Sequence, residues 1–296
     1  MPAEGIDFAP RAALLTYDEI LRVCGVLSSR GVVKVRLTGG EPLVRRDLPV
    51  LVRGLSALFP QLAMTTNGIL LPQYLDELAA AGLTRYNVSL DTLRPDRFLA
   101  ITRRDDYAGT RRAVDQLLDR GYHPKLNVVV MRGINDDELL DFVALTRDHA
   151  LEVRFIEAMP FNDGDGNREV YVSYGEMLER IRTAYPQLEQ LQQTAGSAIN
   201  FRVPGWRGGV GIIPAYSRSL CGSCDRLRLT PRGTLLNCLY STNGLELLPL
   251  LRSGILEEEL AELIATFVHG KHASGHITER EEQRGAVFAS MTSIGG

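Results

Sequence analysis

Three of the chain's four cysteines fall in one stretch, Cys221-Gly-Ser-Cys224 followed by Cys238. A thiolate is a soft metal ligand, and Cys-x-x-Cys presents two of them close together. Between Cys224 and Cys238, Leu227 to Leu236 alternates around Pro231-Arg232-Gly233, the pattern of a hairpin. A hairpin folds Cys238 back toward the pair, and Arg226 and Arg228 leave the same segment. Three thiolates suit a metal better than a disulfide, which would use two and strand the third. Spacing alone leaves two metals open. Zinc prefers four ligands, and the nearest donors in sequence are the histidines of 269–276. A cubane iron–sulfur cluster takes four cysteines when fully ligated, so three leave one iron open to a substrate.

A second set of chemically apt residues sits on strands. The first half of the chain reads as alternating strands and helices: strand Val32–Thr38, helix Asp47–Phe59, strand Leu62–Thr66, helix Gln73–Ala81, strand Arg85–Leu90, two helical stretches between Pro95 and Arg120, strand Lys125–Val130, helix Asp136–His149 and strand Glu152–Glu157. This is the signature of parallel βα units. Thr16 and Glu19 read as a capping box ahead of a further helix, Tyr17 to Ser29.

Strands covered on both faces should be almost wholly apolar, and these are not. Residues two apart share a face. Lys34, Arg36 and Thr38 share one, as do Asn87, Ser89 and Asp91, and Lys125 and Asn127; Arg154 lies mid-strand. The bland reading of any one such face is a solvated edge or an ion pair, but a sheet has only two edges. A lumen holding a polyanionic ligand accounts for all four strands, because unpaired buried cations are costly. Thr38-Gly39-Gly40-Glu41-Pro42 ends the first strand, where parallel folds bind ligands. The two glycines permit close backbone approach, and Glu41 can hold a cationic group. Thr65-Thr66-Asn67-Gly68 ends the next strand in a similar way.

Length and composition bound the rest. At 296 residues with ordinary apolar content, the chain can bury a large core. A formal net charge of −3 argues against a general nucleic-acid binder. No apolar run is long enough to span a membrane, and the first residues lack the pattern of a signal peptide. The expected setting is the cytoplasm. The expected domains are 1–190, a partial (β/α) barrel, and 191–296, a smaller C-terminal domain. In the second half, Phe161–Asn167 reads as a loop, Gln187–Ser197 as a polar linker, Tyr174–Tyr185 as a helix capped by Ser173, Ile199–Val203 and Gly209–Ile213 as strands, Leu245–Leu251 and Ile255–His269 as helices, and Thr278–Arg284 as a solvated tail.

Taken together, these motifs resemble the GTP 3′,8-cyclase family of the radical S-adenosylmethionine superfamily. The segments that carry the resemblance are Lys34 to Asp47, Thr65 to Gly68, Asn87 to Asp91, Arg154 to Met159, Cys221 to Leu229 and the terminal Ile294-Gly295-Gly296. The resemblance implies an incomplete parallel (β/α) barrel with a C-terminal iron–sulfur domain. It also implies a reaction in which a 5′-deoxyadenosyl radical takes hydrogen from C3′ of GTP and the ribose carbon closes onto C8. The product is (8S)-3′,8-cyclo-7,8-dihydroguanosine 5′-triphosphate, an intermediate of molybdenum cofactor biosynthesis. Residue by residue, it places Lys34, Arg36, Thr65, Lys125, Arg154, Arg226, Leu227 and Arg228 at GTP. Gly39, Gly40, Glu41, Ser89 and Met159 fall at S-adenosylmethionine. Cys221, Cys224 and Cys238 become ligands of a second [4Fe–4S] cluster whose open iron meets the guanine. Arg226, Arg228 and the tail residues Gly295 and Gly296 become catalytic. The implied partners are GTP, S-adenosylmethionine, an electron donor of flavodoxin or ferredoxin type, and cyclic pyranopterin monophosphate synthase as the next enzyme; a homodimer is left open.

The chain departs from the family pattern in one respect. The Cys-x-x-x-Cys-x-x-Cys motif that holds the first cluster is absent from its 296 residues, and Cys24, single in an apolar helix, reads as core. The resemblance aligns Met1 with the residue after that motif. The corresponding expectation is a shortened chain without its first strand, with Val32–Thr38 as an apolar edge, inactive and poorly soluble. Another radical S-adenosylmethionine enzyme with an auxiliary cluster, such as a peptide maturase, and a non-catalytic nucleotide- or metal-binding remnant are the competing readings.

Overall fold

The computed structural model describes residues 9–159, 169–192, 196–217, 221 and 224–282. The chain divides into two compact units. Unit 1 contains the described residues through Ala63, then Glu77–Leu83, then those from Asp225 onward; unit 2 contains Met64–Asp76 and Thr84–Cys224. The expected loop Phe161–Asn167 and the tail residues Gly295 and Gly296 lie outside the described residues.

Unit 1 begins with α1 (Tyr17–Ser29), which opens on the expected capping box. The Glu19 N–H donates to Thr16 Oγ1 at 3.2 Å, and the Thr16 N–H donates to Glu19 Oε2 at 2.7 Å. Next come β1 (Lys34–Leu37), α2 (Leu48–Leu58) and the first half of β2 (Gln61–Thr66). The second sheet is here too: β9 (Arg228–Leu229), β10 (Thr234–Leu236) and β11 (Leu245–Glu246), in the order β11-β10-β9. The expected hairpin around Gly233 forms with Leu235 opposite Leu229 and Leu236 opposite Arg228. It is followed by α8 (Leu247–Arg252), α9 (Glu257–His269) and α10 (Gly275–Glu282). One apolar core joins both ends of the chain: Val23 and Val26 of α1 pack with Leu235, Leu247, Leu251, Leu260 and Ile264. Glu257, Glu258, Glu259 and Glu262 form the solvated face of α9.

Unit 2 carries most of the large sheet. From β2 it continues through β3 (Arg85–Ser89), β4 (Lys125–Val130) and β5 (Glu152–Glu157), then β8 (Gly209–Ile213), β7 (Ile199–Arg202) and β6 (Glu189–Gln190). β3, β4, β5 and β8 run parallel, while β7 and β6 are antiparallel additions. The helices are α3 (Leu71–Ala80), which ends in unit 1, α4 (Pro95–Thr102), α5 (Tyr107–Asp119), α6 (Leu139–Asp148) and α7 (Tyr174–Ala184), capped by Ser173 as expected. β4 and β5 alternate strictly: Leu126, Val128, Val130, Val153 and Phe155 are buried, whereas Lys125, Asn127, Glu152 and Arg154 are half-buried. The apolar face packs under α6, where the Phe142 and Phe155 rings meet edge-on at 6.4 Å.

Three local expectations change. The polar stretch Gln187–Ser197 is not wholly linker, because Glu189 and Gln190 pair with Arg202 and Phe201 and add a strand. Leu245 and Glu246 leave the expected helix because β10 captures them, helped by Thr234 Oγ1 donating to Glu246 Oε1 at 2.8 Å. The run from Thr278 is helical as far as Glu282, with Thr278 buried, not a solvated tail. The Glu282 carboxylate there accepts from Ser241 Oγ at 2.6 Å and from the Thr242 and Asn243 N–H groups at 3.1 and 3.2 Å.

Candidate active site

The half-buried face of the sheet in unit 2 is polar, as expected, and the strand register orders its residues into rows. Asn87, Lys125 and Glu152 are Cα partners on successive strands; one row on, so are Ser89, Asn127, Arg154 and Gly211, with Asn200 opposite Gly211. Thr65 joins through Asn87, whose Nδ2 donates to Thr65 Oγ1 at 3.3 Å.

Two cations of this face, expected to lack a protein partner, have one. Glu152 bridges them: Arg154 Nε donates to Glu152 Oε1 at 2.5 Å, and Lys125 Nζ donates to Glu152 Oε2. Burial by itself would raise the Glu152 carboxyl, but the Arg154 guanidinium and then the Lys125 ammonium outweigh it and hold the pKa below the usual value. Glu152 is thus a site residue that the sequence reading missed, although its place at the start of the strand, on the same face as Arg154, was a signal. Lys34 and Arg36, on β1 of unit 1, are exposed rather than buried in a lumen.

Acids, Glu138 and Glu157 buried and Asp91 half-buried, pin the loops at the carboxyl ends of the strands. Asp91, just past β3, accepts from the Val129 N–H at 2.8 Å, and burial pushes its carboxyl up to about 6 against that pull. Glu138 accepts from Thr92 Oγ1 and the Leu93 N–H, both at 2.6 Å. Glu157, at the end of β5, accepts four bonds: from Tyr171 Oη at 3.0 Å and from the N–H groups of Tyr174, Tyr216 and Ser217 at 2.8, 2.9 and 2.8 Å. The tyrosine hydroxyl's pKa is raised, first by burial and then by that carboxylate. Ser89 ends β3, and Met159 follows Glu157 by two residues, so both S-adenosylmethionine candidates in unit 2 emerge beside these anchors.

In unit 1, Gly39 adopts φ +133°, a conformation that favours glycine, and a side chain at Gly40 would meet nothing within 4 Å. That open backbone suits close approach by a ligand. Glu41 spends one carboxylate oxygen on the Leu43 N–H at 3.1 Å. Arg226 is exposed, Leu227 packs on the core of the unit, and Arg228 is half-buried in β9; the Arg226 carbonyl accepts from Lys271 Nζ at 3.0 Å.

Cys221 and Cys224 lie in unit 2 on one turn, where the Cys224 N–H donates to the Cys221 carbonyl at 3.1 Å. Cys238 is in unit 1, two residues beyond β10. All three are half-buried free thiols. Among the described residues, no group of three or more His, Cys, Asp and Glu is placed to hold a metal ion. His272, one candidate for a zinc ligand, instead faces Glu281 and Glu282 at 3.4 and 3.5 Å. Cys24 is buried core, its thiol pushed up by burial to about 11.

Comparison with known proteins identifies the family. The profile of the radical SAM superfamily matches residues 5–146, and that of Molybdenum Cofactor Synthesis C matches residues 151–277. The chain is 42% identical to the GTP 3′,8-cyclase of Moorella thermoacetica over 301 aligned positions, covering all of this chain and 92% of that protein. It is 41% identical to the mitochondrial GTP 3′,8-cyclase of Arabidopsis thaliana, covering 93% of this chain and 71% of that one. The Bos taurus molybdenum cofactor biosynthesis protein 1 is 45% identical over 92% of this chain, which spans only 43% of the cattle protein's length. The chain therefore belongs to the GTP 3′,8-cyclase family of radical S-adenosylmethionine proteins. No helix among the described residues is long and apolar enough to cross a membrane.

Proposed function

We propose that this chain carries the GTP-binding and cyclising apparatus of a GTP 3′,8-cyclase in molybdenum cofactor biosynthesis. The observation that carries the reading is the polar face of unit 2, where Lys125 and Arg154 are held side by side through Glu152 in a chain of this family. Two neighbouring cations bridged by one carboxylate suit a polyphosphate. In the net reaction C3′ loses hydrogen, the C3′–C8 bond closes, N7 gains hydrogen, and the product is an isomer of GTP. S-adenosylmethionine leaves as methionine and 5′-deoxyadenosine. Two electrons and one proton enter, the electrons from a donor of flavodoxin or ferredoxin type.

The chain's own residues bind and orient. Lys125, Arg154 and Thr65 of unit 2 are proposed GTP contacts, as are Lys34, Arg36, Arg226, Leu227 and Arg228 of unit 1. Gly39, Gly40, Glu41, Ser89 and Met159 are proposed to receive S-adenosylmethionine, with Glu157 fixing the strand end from which Met159 leaves. Cys221, Cys224 and Cys238 would hold the second [4Fe–4S] cluster, which supplies one-electron chemistry and an open iron when bound. Gly295 and Gly296 are the proposed catalytic tail. Cyclic pyranopterin monophosphate synthase would take the product, in the cytoplasm, and a homodimer is compatible with this reading.

Anaerobic reconstitution with iron and sulfide, followed by metal analysis and calorimetric titration with GTP and ATP, tests the proposal. It expects four irons per chain, lost in Cys221→Ser, Cys224→Ser or Cys238→Ser, and GTP bound in preference to ATP. Zinc in place of iron, or no preference for GTP, would overturn it.

A further inference from the structure

The hairpin of unit 1 stops pairing before its arms reach Arg226 and Cys238. In its register Leu229 is opposite Leu235 and Arg228 is opposite Leu236, and both strands end there on this side. Continued by two residues, the same register puts Arg226 on one arm across from Cys238 on the other. Neither residue belongs to a strand. Strand pairing therefore does not set the gap between the arms at this mouth.

A third element grips both arms. It runs from the end of α9 through α10, Phe267 to Glu282. Phe267 and Val268 root it in the apolar core of the unit, and Ser274 caps α10, its Oγ accepting from the Ile277 N–H at 3.3 Å. On the first arm, Lys271 Nζ donates to the Arg226 carbonyl at 3.0 Å. On the second arm, Asn237 Nδ2, next to Cys238, donates to the Phe267 carbonyl at 3.3 Å. Farther along the second arm, Ser241 Oγ and the Thr242 and Asn243 N–H groups all donate to Glu282 Oε2. The Glu282 side chain is only 12% exposed, so these are charge-assisted bonds in a mostly shielded place. Its other oxygen, Oε1, faces His272 Nε2 at 3.5 Å.

We propose that Lys271 and Glu282 are positioning residues for the substrate. Together they fix the gap between the two arms, and so the place at which Arg226 is presented to the triphosphate. Lys271 acts through the Arg226 backbone, and Glu282 acts by anchoring the far arm and the helix that follows Lys271. This role rests on the reading of Arg226 as a GTP contact and adds to it the residues that hold Arg226 ready. A cation fixed before the ligand arrives loses less freedom on binding, which is where the affinity comes from.

The test is calorimetric titration of the full chain, purified anaerobically, with GTP, together with thermal melts without ligand. The variants are Lys271→Met, Lys271→Arg, Glu282→Ala and Glu282→Gln, each alone and combined with Arg226→Ala. Lys271→Met and Glu282→Ala should each weaken GTP about fivefold, within the worth of one hydrogen bond. Lys271→Arg keeps a donor, and Glu282→Gln keeps an oxygen for the three donors, so both should stay within about twofold of wild type. Where Arg226→Ala has already removed the arginine, Lys271→Met and Glu282→Ala should cost no more than about twofold. A cost that is equal with and without Arg226 would overturn the proposal: it would mean that Lys271 meets phosphate itself, or, with a lowered melting temperature, that the variant only loosens the fold. Normal GTP binding by Lys271→Met and Glu282→Ala would overturn it too, as would failure of Lys271→Arg and Glu282→Gln to restore affinity. Should Glu282→Ala not fold, Lys271→Met and its combination with Arg226→Ala decide alone. Wild type that binds no GTP, or Arg226→Ala that binds it as wild type does, would instead overturn the underlying function reading, and those two titrations separate the failures.

Discussion

Glu152→Gln should loosen the fold and tighten polyphosphate binding at once. The substitution keeps the shape and one acceptor but removes the charge that Lys125 and Arg154 share. At an effective dielectric near 20, each ion pair about 4 Å apart is worth about 4 kcal/mol, and the two cations left facing one another at about 6 Å repel by about 3 kcal/mol. The side chains are 33%, 23% and 13% exposed for Lys125, Glu152 and Arg154, so solvent screens much of this. A net loss of about 2 kcal/mol in unfolding free energy is the working estimate. The same carboxylate repels any phosphate that the cations receive. Removing a unit charge at about 6 Å is worth at most about 3 kcal/mol per ligand charge, against about 1 kcal/mol for the rotamer freedom that the two cations regain. GTP should therefore bind about tenfold more tightly to the variant. The gain should shrink through GDP to nothing for guanosine, and should fade as salt rises. The assays are urea unfolding and titration with the three ligands at two ionic strengths. A variant that unfolds like wild type, or loses GTP affinity more than guanosine affinity, would refute the reasoning.

Other substitutions bear on separate parts of the same argument. Arg36→Ala, on the exposed β1, should raise the GTP dissociation constant at least about tenfold, the loss of a charge-assisted contact; an unchanged titration would remove Arg36 from the site. Glu157→Gln replaces a carboxylate that accepts four bonds with an amide that must turn its NH2 toward donors, so it should lose about 3 kcal/mol of stability. Because Met159 follows so closely, S-adenosylmethionine affinity should fall more than GTP affinity, and equal losses would show a purely structural role. Asp91 gives a pH signature. Folded, it keeps its proton up to about pH 6, whereas an unfolded aspartate keeps it only to about pH 3.9. Between these values the folded chain binds more protons, so stability falls as pH rises through the window, and the full penalty of up to about 3 kcal/mol stands above pH 6. Asp91→Asn, which keeps an oxygen for the Val129 N–H, should be the more stable chain at pH 7.5 and should flatten the profile between pH 4 and 6; a variant less stable at pH 7.5 would contradict the assignment.

Much of this was legible in the sequence because periodicity records burial. The strands Lys125–Val130 and Glu152–Glu157 were readable, and Lys125, Asn127 and Arg154 fall on the half-buried face as the period of two requires. The Thr16/Glu19 cap and the Gly233 hairpin were readable for the same reason: each depends on residues close in the chain. What failed depends on partners distant in sequence. Counting cations by strand leaves Lys125 without a partner, since its pairing with Glu152 requires the β4–β5 register; Arg154 meets the same carboxylate two residues back on its own strand, which a count of cations passes over. Glu189 and Gln190 look like linker because their strand exists only through its pairing with Arg202 and Phe201. Glu157 looks like one more acid in an apolar run until the loops at 171–174 and 216–217 return to it.

The register also explains why the polar face is informative where its individual residues were not. A lone half-buried lysine, asparagine or arginine on a strand is most simply a satisfied surface group, and Lys125 does find its carboxylate. Once rows are aligned, one carboxylate ties two of them together: Glu152 takes Lys125, opposite it, and Arg154, one row on. In the proposed nucleotide-binding face, the Glu152 carboxylate keeps both cations ordered until a ligand arrives.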